Sequence, residues 1–459
     1  MQGTVTELSH WYEQNKQSIL DDFFTFLRFK SISADPSCKE ECLRAANWLC
    51  GYLKKIGLQS ELWPSTGNPV VFASDLSAGE DRPTLLIYHH YDVQPVDPLE
   101  LWHSPPFEPT IRQGKVFARG ASDNKGQCFA TLTALRWLYS FAKKQRVNIK
   151  VFIEGEEEIG GPGTEKVVRE KQRELQADHL LVVDFGLPRE NEPGVTLGMR
   201  GIVTFDIECK NSSQDLHSGE HGGVALNPNR ALVQLLAKVW DEQGRVTIAH
   251  FYDDIKGLTA EEKKRVNLDF DVQAYEKAFG VKAYAAEKGC SLKEANWLRP
   301  TFEINGIGGG YTGVGFKTVI PSKAIAKVSC RLVPEQDPSV IEKNVREFLQ
   351  KNCPSGMELY IAMHHGAGAF KTASDAKITQ VVATSFEEVF GRPCEYMFCG
   401  GSVPIVVELS KACGADVALM GVALSSDDIH APNEHFGLDN IKQGFMTMAR
   451  VLVHLSEES

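Results

Sequence analysis

Histidines and carboxylates recur in this chain at the ends of short apolar runs, where a sheet could project them into one place. His90 and Asp92 follow Leu85-Leu86-Ile87-Tyr88. On an extended strand residues i and i+2 share a face, so Asp92 could hold one ring nitrogen of His90 while the other nitrogen binds a metal. The same pair also reads as a buried structural contact. Asp123 lies in Gly120-Ala121-Ser122-Asp123-Asn124-Lys125-Gly126, between strand-like residues 115–118 and helix-like residues 128–138. There it reads either as a helix cap or as a ligand with room for close backbone approach. Glu154, Glu156, Glu157 and Glu158 crowd the end of Val151-Phe152-Ile153, and clustered carboxylates need solvent or a cation to relieve their repulsion. Asp184 closes the run Leu180-Leu181-Val182-Val183, and His430 sits in a polar loop after Val417-Ala418-Leu419-Met420.

Taken in order, His90, Asp123, Glu158, Asp184 and His430 resemble the ligand set of the co-catalytic di-zinc exopeptidases. That family includes carnosine-type dipeptidases, glutamate carboxypeptidases, aminoacylases and succinyl-diaminopimelate desuccinylase. The resemblance runs from Ser31-Ile32-Ser33 through Asp215-Leu216-His217-Ser218-Gly219 to Gly400-Gly401-Ser402. It is strongest toward the dipeptidase branch, in His90-Tyr91-Asp92-Val93-Gln94-Pro95, Trp102-His103-Ser104-Pro105-Pro106-Phe107 and Arg331-Leu332-Val333-Pro334.

The resemblance implies two divalent cations per chain, bridged by Asp123 at a spacing of about 3.5 to 4 Å. His90 and Asp184 would complete one cation site, Glu158 and His430 the other. Nitrogen and oxygen ligands without thiolate suit zinc, and manganese or cobalt is also accommodated. A water shared by such cations has its pKa lowered toward about 7, giving a hydroxide nucleophile. Glu157 falls on the family's general base; a slip of one residue would make Glu156 the base and Glu157 the ligand, and the following Glu158-Ile159-Gly160 favours the first register. A cis peptide would follow Asp123. His217 would stabilise the oxyanion across a dimer interface, and Arg331 would bind the substrate's C-terminal carboxylate, a task suited to a planar bidentate donor. Thr318 from the partner chain and His365 would support it, and Ser402 would contact substrate. Cys399 departs from the branch, whose members usually carry a glutamate just before Gly-Gly-Ser.

These residues need a scaffold. Strands and helices alternate over residues 1–197, and the pattern returns over 373–459, because His430 must reach the same metals as His90. The expected fold is therefore an α/β, mixed-sheet catalytic domain. Between them, residues 198–372 read as an inserted α+β, ferredoxin-like lid and dimerisation domain, hinged near Gly198 and Thr372. Residues 202–209 alternate as a strand, 226–240 have helical spacing, 324–333 and 358–362 read as strands, and 339–351 as a helix. The charged stretch 243–301 gives no fold of its own.

With 459 residues the chain is long enough for two domains, since single cores rarely grow past about 250 to 300. A net charge of −11 with no basic stripe disfavours nucleic acid. The eleven cysteines form no Cys-x-x-Cys and read as reduced thiols; a structural zinc at Cys38, Cys42 and Cys50 is the alternative. Neither a signal peptide nor a membrane span is legible, so a cytoplasmic enzyme without membrane partners is expected. The expected reaction is hydrolysis of the amide bond of a dipeptide or short peptide with a free C-terminal carboxylate, by a homodimer. Two alternatives stand: an N-acyl-amino-acid deacylase on the same centre, and a catalytically silent scaffold.

Overall fold

The computed structural model describes residues 3–141, 146–253 and 255–457, and for His365 the backbone alone. Its largest sheet has nine strands. In spatial order these are Gln59–Trp63, Val70–Asp75, Asn148–Glu154, Thr84–His90, His179–Val183, Asp416–Met420, Gly194–Met199 and Phe370–Lys371, with Glu395–Cys399 paired to Gly194–Met199. The four strands ending at Glu154, His90, Val183 and Met420 run parallel. They are buried almost throughout, with apolar residues dominating their middles, as strands covered on both faces require. Leu85, Ile87, Val151, Ile153, Leu181 and Val183 pack toward helices Val5–Leu27, Lys39–Ile56, Lys125–Phe141, Lys377–Phe390 and Leu438–Glu457. The alternate residues Leu86, Tyr88, Phe152, Leu180 and Val182 pack toward Pro162–Glu170 and Ile405–Cys413 on the other face. This three-layer arrangement leaves the carboxyl ends of the parallel strands free to carry loops, the usual place for a site in such sheets.

The chain leaves this sheet after Met199 and re-enters it at Phe370. Between them stands a four-stranded antiparallel sheet in the order Thr301–Gly309, Lys323–Leu332, Gly201–Lys210, Glu358–Ala367. Helices Pro228–Ala237 and Pro338–Asn352 cover one face, so the connectivity is strand, helix, strand, strand, helix, strand. Gly201–Lys210 alternates buried and half-buried residues along its whole length, which is the period that marks it as a strand with one covered face.

Residues 243–301 hold three short helices, Glu262–Arg265, Val272–Phe279 and Leu292–Trp297, and lead into the strand Thr301–Gly309. Leu258, Val266 and Trp297 pack on Leu197 and Phe398, so this stretch leans on the large sheet. The helix expected over 226–240 is shorter, Pro228–Ala237, because Pro228 and the Asn227 cap set its start. All eleven cysteines are unpaired. Among the described residues no helix is long and apolar enough to cross a membrane.

Candidate metal centre

Four of the five candidate ligands sit at or beyond the carboxyl end of a strand of the parallel set, and the fifth, Asp123, precedes a helix. His90 is the last residue of Thr84–His90 and is fully buried. Glu157 and Glu158 open a short 3-10 turn three residues after Asn148–Glu154, Asp184 directly follows His179–Val183, and His430 lies in the loop after Asp416–Met420. Asp123 stands two residues before helix Lys125–Phe141, and its peptide bond to Asn124 is cis.

The two oxygens of Asp123 face different partners. Oδ1 is 3.1 Å from His90 Nε2, which is 3.6 Å from Asp184 Oδ1. Oδ2 is 2.9 Å from His430 Nε2, which is 3.2 Å from Glu158 Oε2. Among the described residues, His90-Asp123-Asp184 and Asp123-Glu158-His430 are the two groups whose ligand atoms could hold a metal ion, with those atoms within 4.8 Å of one another in each. Cys38, Cys42 and Cys50 belong to neither. One buried oxygen, Glu158 Oε1, has no hydrogen-bond partner. An unpaired buried carboxylate oxygen and one carboxylate shared by two imidazoles are what a pair of divalent cations would satisfy.

The electrostatics of the bare chain point the same way. Burial, with Asp184, Glu158 and Asp123 close by, holds the Glu157 carboxyl well above the usual range against the pull of His90. Burial and Asp123 push Glu158 up to about 7. Against the effect of burial, His430 is pushed up to about 11 by Asp123 and Glu158, and His90 is raised by Asp184 and Asp123. Strongly shifted groups concentrated in one cavity mark a functional site.

Glu157 lines a cavity of about 340 Å³ with Asp123, Asp184 and His430. Glu156 turns elsewhere, accepting from the backbone N–H of Asn68 at 3.3 Å. Asp92 does more than the strand argument foresaw, and by another route: the strand stops at His90, and Asp92 reaches back from the segment beyond it. One carboxylate oxygen is 3.3 Å from His90 Nδ1, and the two oxygens accept the backbone N–H groups of Glu157 and Glu158 at 3.2 and 3.1 Å. It ties the acidic turn to the first histidine.

Ser402 and Cys399 line the same cavity. Arg331 Nη1 donates to Ser402 Oγ at 3.0 Å, so the two residues meet across the junction of the two sheets. His217 and Thr318 do not join them. Both are exposed on a two-stranded edge where Leu216–His217 pairs with Val319–Ile320, and neither lines the cavity. The backbone of His365 pairs with Thr204, and its side chain lies outside the described residues.

Several contacts were not legible in advance. Gln94 Nε2 donates to Glu158 Oε2 at 2.8 Å, and Asn124 Nδ2 to Asp184 Oδ1 at 2.6 Å. Arg200, between the two sheets, donates through Nε to Gly400 O at 2.9 Å. For the first two the signal was adjacency to candidate ligands, since Asn124 neighbours Asp123 and Gln94 closes the His90-Tyr91-Asp92-Val93-Gln94 run, whereas Arg200 offered none.

The chain is 28% identical to a Beta-Ala-His dipeptidase of Rattus norvegicus over 99% of this chain and 96% of that one. Its structure superposes on an M20 family metallo-carboxypeptidase, Sso-CP2 from Sulfolobus solfataricus, with a TM-score of 0.86 at 32% identity, covering 95% of this chain and 99% of that one. The di-peptidase Dug1p from Saccharomyces cerevisiae gives 0.87 at 25% identity over the full length of both. Sequence matching to peptidase family M20/M25/M40 spans residues 86–454, from the first histidine's strand to the last helix, and the chain belongs to that family.

Proposed function

We propose that this chain is a metal-dependent dipeptidase that cleaves the amide bond of dipeptides or short peptides bearing a free C-terminal carboxylate. The observation that carries this reading is the position of Asp123, with each oxygen turned to its own histidine and second carboxylate. The mixed nitrogen and oxygen donors fit two zinc ions, with manganese or cobalt as substitutes. His90 and Asp184 would hold one ion, Glu158 and His430 the other, and Asp123 both. When bound, the ions would polarise the scissile carbonyl and acidify a water.

The chain's own groups supply the rest. Glu157, half-buried in the cavity beside Asp123 and Asp184, takes the proton of the attacking water and returns it to the departing amine. Its raised pKa suits that task, because a base must also release its proton as an acid. Asp92 fixes the turn that carries it. Arg331 and Ser402 hold the substrate's carboxylate at the junction of the two sheets. The β-Ala-His dipeptidase and Dug1p relatives support a dipeptide over an acylated amino acid.

The four-stranded unit over residues 198–372 acts as an inserted ferredoxin-like lid on the catalytic unit of 1–197 and 373–459, with hinges where the chain crosses between sheets. It also forms the homodimer. Thr301–Gly309 is an edge strand in this chain, with Ile307 55% exposed, and Val314 and Phe316 close by in sequence are fully exposed. His217 and Thr318 lie on the neighbouring two-stranded edge and would serve the partner's site, His217 on the oxyanion, with His365 supporting Arg331. The unpaired cysteines support a reducing, cytoplasmic setting.

The test is hydrolysis of β-Ala-His, Cys-Gly and a panel of other dipeptides, beside N-acetyl amino acids, by protein stripped of metal and reconstituted with zinc or manganese. Dipeptide turnover that depends on metal is expected. Cleavage of acylated amino acids alone would replace the reading with a deacylase, and two bound metals without turnover would leave a scaffold.

A further inference from the structure

Glu434 is a fully buried carboxylate that the reaction above does not use. It lies four residues after His430 and accepts four hydrogen bonds, two on each oxygen. Oε2 takes Arg119 Nη1 at 2.8 Å and the backbone N–H of Gly120 at 2.8 Å. Oε1 takes the backbone N–H groups of Ser122 and Asp123, each at 3.0 Å. Four donors are about what an ionised carboxylate can accept, so the group is saturated. Gly120 makes the convergence possible. Its φ is +81°, and a Cβ there would stand 2.6 Å from Val93 Cγ1.

The loop between Asp427 and Glu434 needs such an anchor. Asp428, His430 and Asn433 all have positive φ, of 53°, 63° and 67°. Non-glycine residues rarely adopt this region, and several together persist only when their surroundings hold them. Both ends of the loop are fastened to the segment that carries Asp123. At the start, Asp427 Oδ2 accepts from Ser122 Oγ at 2.9 Å and from the backbone N–H of Leu424 at 2.8 Å. At the end, Glu434 gathers the backbone of residues 120–123, and its own carbonyl accepts from Ala118 N at 3.1 Å. Arg119, itself buried, passes the connection to the His90 side by donating through Nη2 to Pro95 O at 2.9 Å.

We infer that Glu434 is the positioning residue of the metal centre: it locks the His430 loop onto the Asp123 turn, so that the shared carboxylate and the second histidine arrive together. The inference rests on the two-metal reading given above. Glu434 touches neither substrate nor a proposed ligand's side chain; it acts through the backbone of Asp123 and through the loop bearing His430. Outer partners of this kind govern metal affinity by roughly 10- to 100-fold.

Glu434→Gln keeps the shape but presents an amide N–H₂ to at least one backbone donor. The full chain, stripped with chelator, would be titrated with Mn²⁺ by calorimetry, and unfolding followed by circular dichroism. Two ions should bind wild type, and Glu434→Gln should bind them ~10- to 100-fold more weakly. At saturating Mn²⁺ its kcat on a dipeptide should fall while KM holds, because Arg331 and Ser402 are untouched. Glu434→Asp, which keeps the charge and shortens the reach, should lose less; it also carries the test if the amide variant does not fold. Wild-type Mn²⁺ affinity in either folded variant would overturn the inference. So would an equal loss of affinity in Leu409→Ala, a buried core variant outside the proposed ligand set that reports general destabilisation. Fewer than two ions on wild type would instead overturn the two-metal reading, and this inference with it.

Discussion

Replacing Glu157 by glutamine should move activity and stability in opposite directions. The side chains are nearly isosteric, and the backbone N–H of residue 157 stays bonded to Asp92, so the turn and the neighbouring candidate ligand Glu158 keep their places. What goes is the one carboxylate or imidazole among the described lining residues that is not assigned to a metal. A positioned general base contributes about 10²- to 10⁴-fold. At 1.36 kcal/mol per decade this is a barrier increase of roughly 3 to 5 kcal/mol. The stability effect has the other sign. Glu157 sits among Asp184, Glu158 and Asp123 with little access to water, and its folded pKa lies well above its ordinary value. An acid shifted upward costs nothing while protonated, and its cost grows as pH rises from the unfolded pKa of about 4.3 through the folded value. Glutamine removes that cost, so metal-free Glu157→Gln should unfold at a higher temperature than metal-free wild type at pH 7.5, with the gap closing near pH 4. Steady-state kinetics on dipeptides with saturating metal, thermal scans of chelated protein, and metal stoichiometry read the three quantities. A variant that retains kcat within threefold would refute the base assignment, and one that loses both metals would show that Glu157 is a ligand.

Arg331→Met should raise KM by ~10- to 150-fold with kcat little changed. A charge-assisted bond to the substrate carboxylate is worth about 1.5 to 3 kcal/mol and is made equally in ground and transition states. A lower kcat at constant KM would move Arg331 from substrate binding to the chemical step. Metal binding should release on the order of two protons, because His90 and His430 are held protonated by their carboxylate partners in the bare chain and must be neutral to ligate. Apparent metal affinity should therefore rise with pH up to the region of those raised values. Calorimetry in buffers of different ionisation heat measures the count, and a pH-independent affinity with no proton release would contradict the ligand set.

Three of the five candidate ligands stand out in the sequence because they sit at or just past the end of a buried strand. A parallel strand buried on both faces is mostly apolar, so a histidine or carboxylate that closes the run at its carboxyl end falls beside the other strand ends. His90, Asp184 and the acidic turn after Glu154 all follow that rule. The acidic cluster was harder. Its repulsion is relieved partly by divergence, with Glu154 accepting from Tyr88 Oη at 2.7 Å and Glu156 turned to Asn68 while Glu157 and Glu158 face inward. A linear pattern does not encode which carboxylates diverge. The strand Thr301–Gly309 escaped for a related reason: only Phe302 is buried, and Gly306, Gly308 and Gly309 erase the alternation that made Gly201–Lys210 plain. Glu434 escaped because nothing local distinguishes an acid that collects backbone N–H groups more than 300 residues earlier from one that faces solvent. Three of its four partners are main-chain amides that every sequence has. A site whose donors are side chains can be read by residue type; the clamps that aim those side chains are made with main chain, and only the fold brings them into contact.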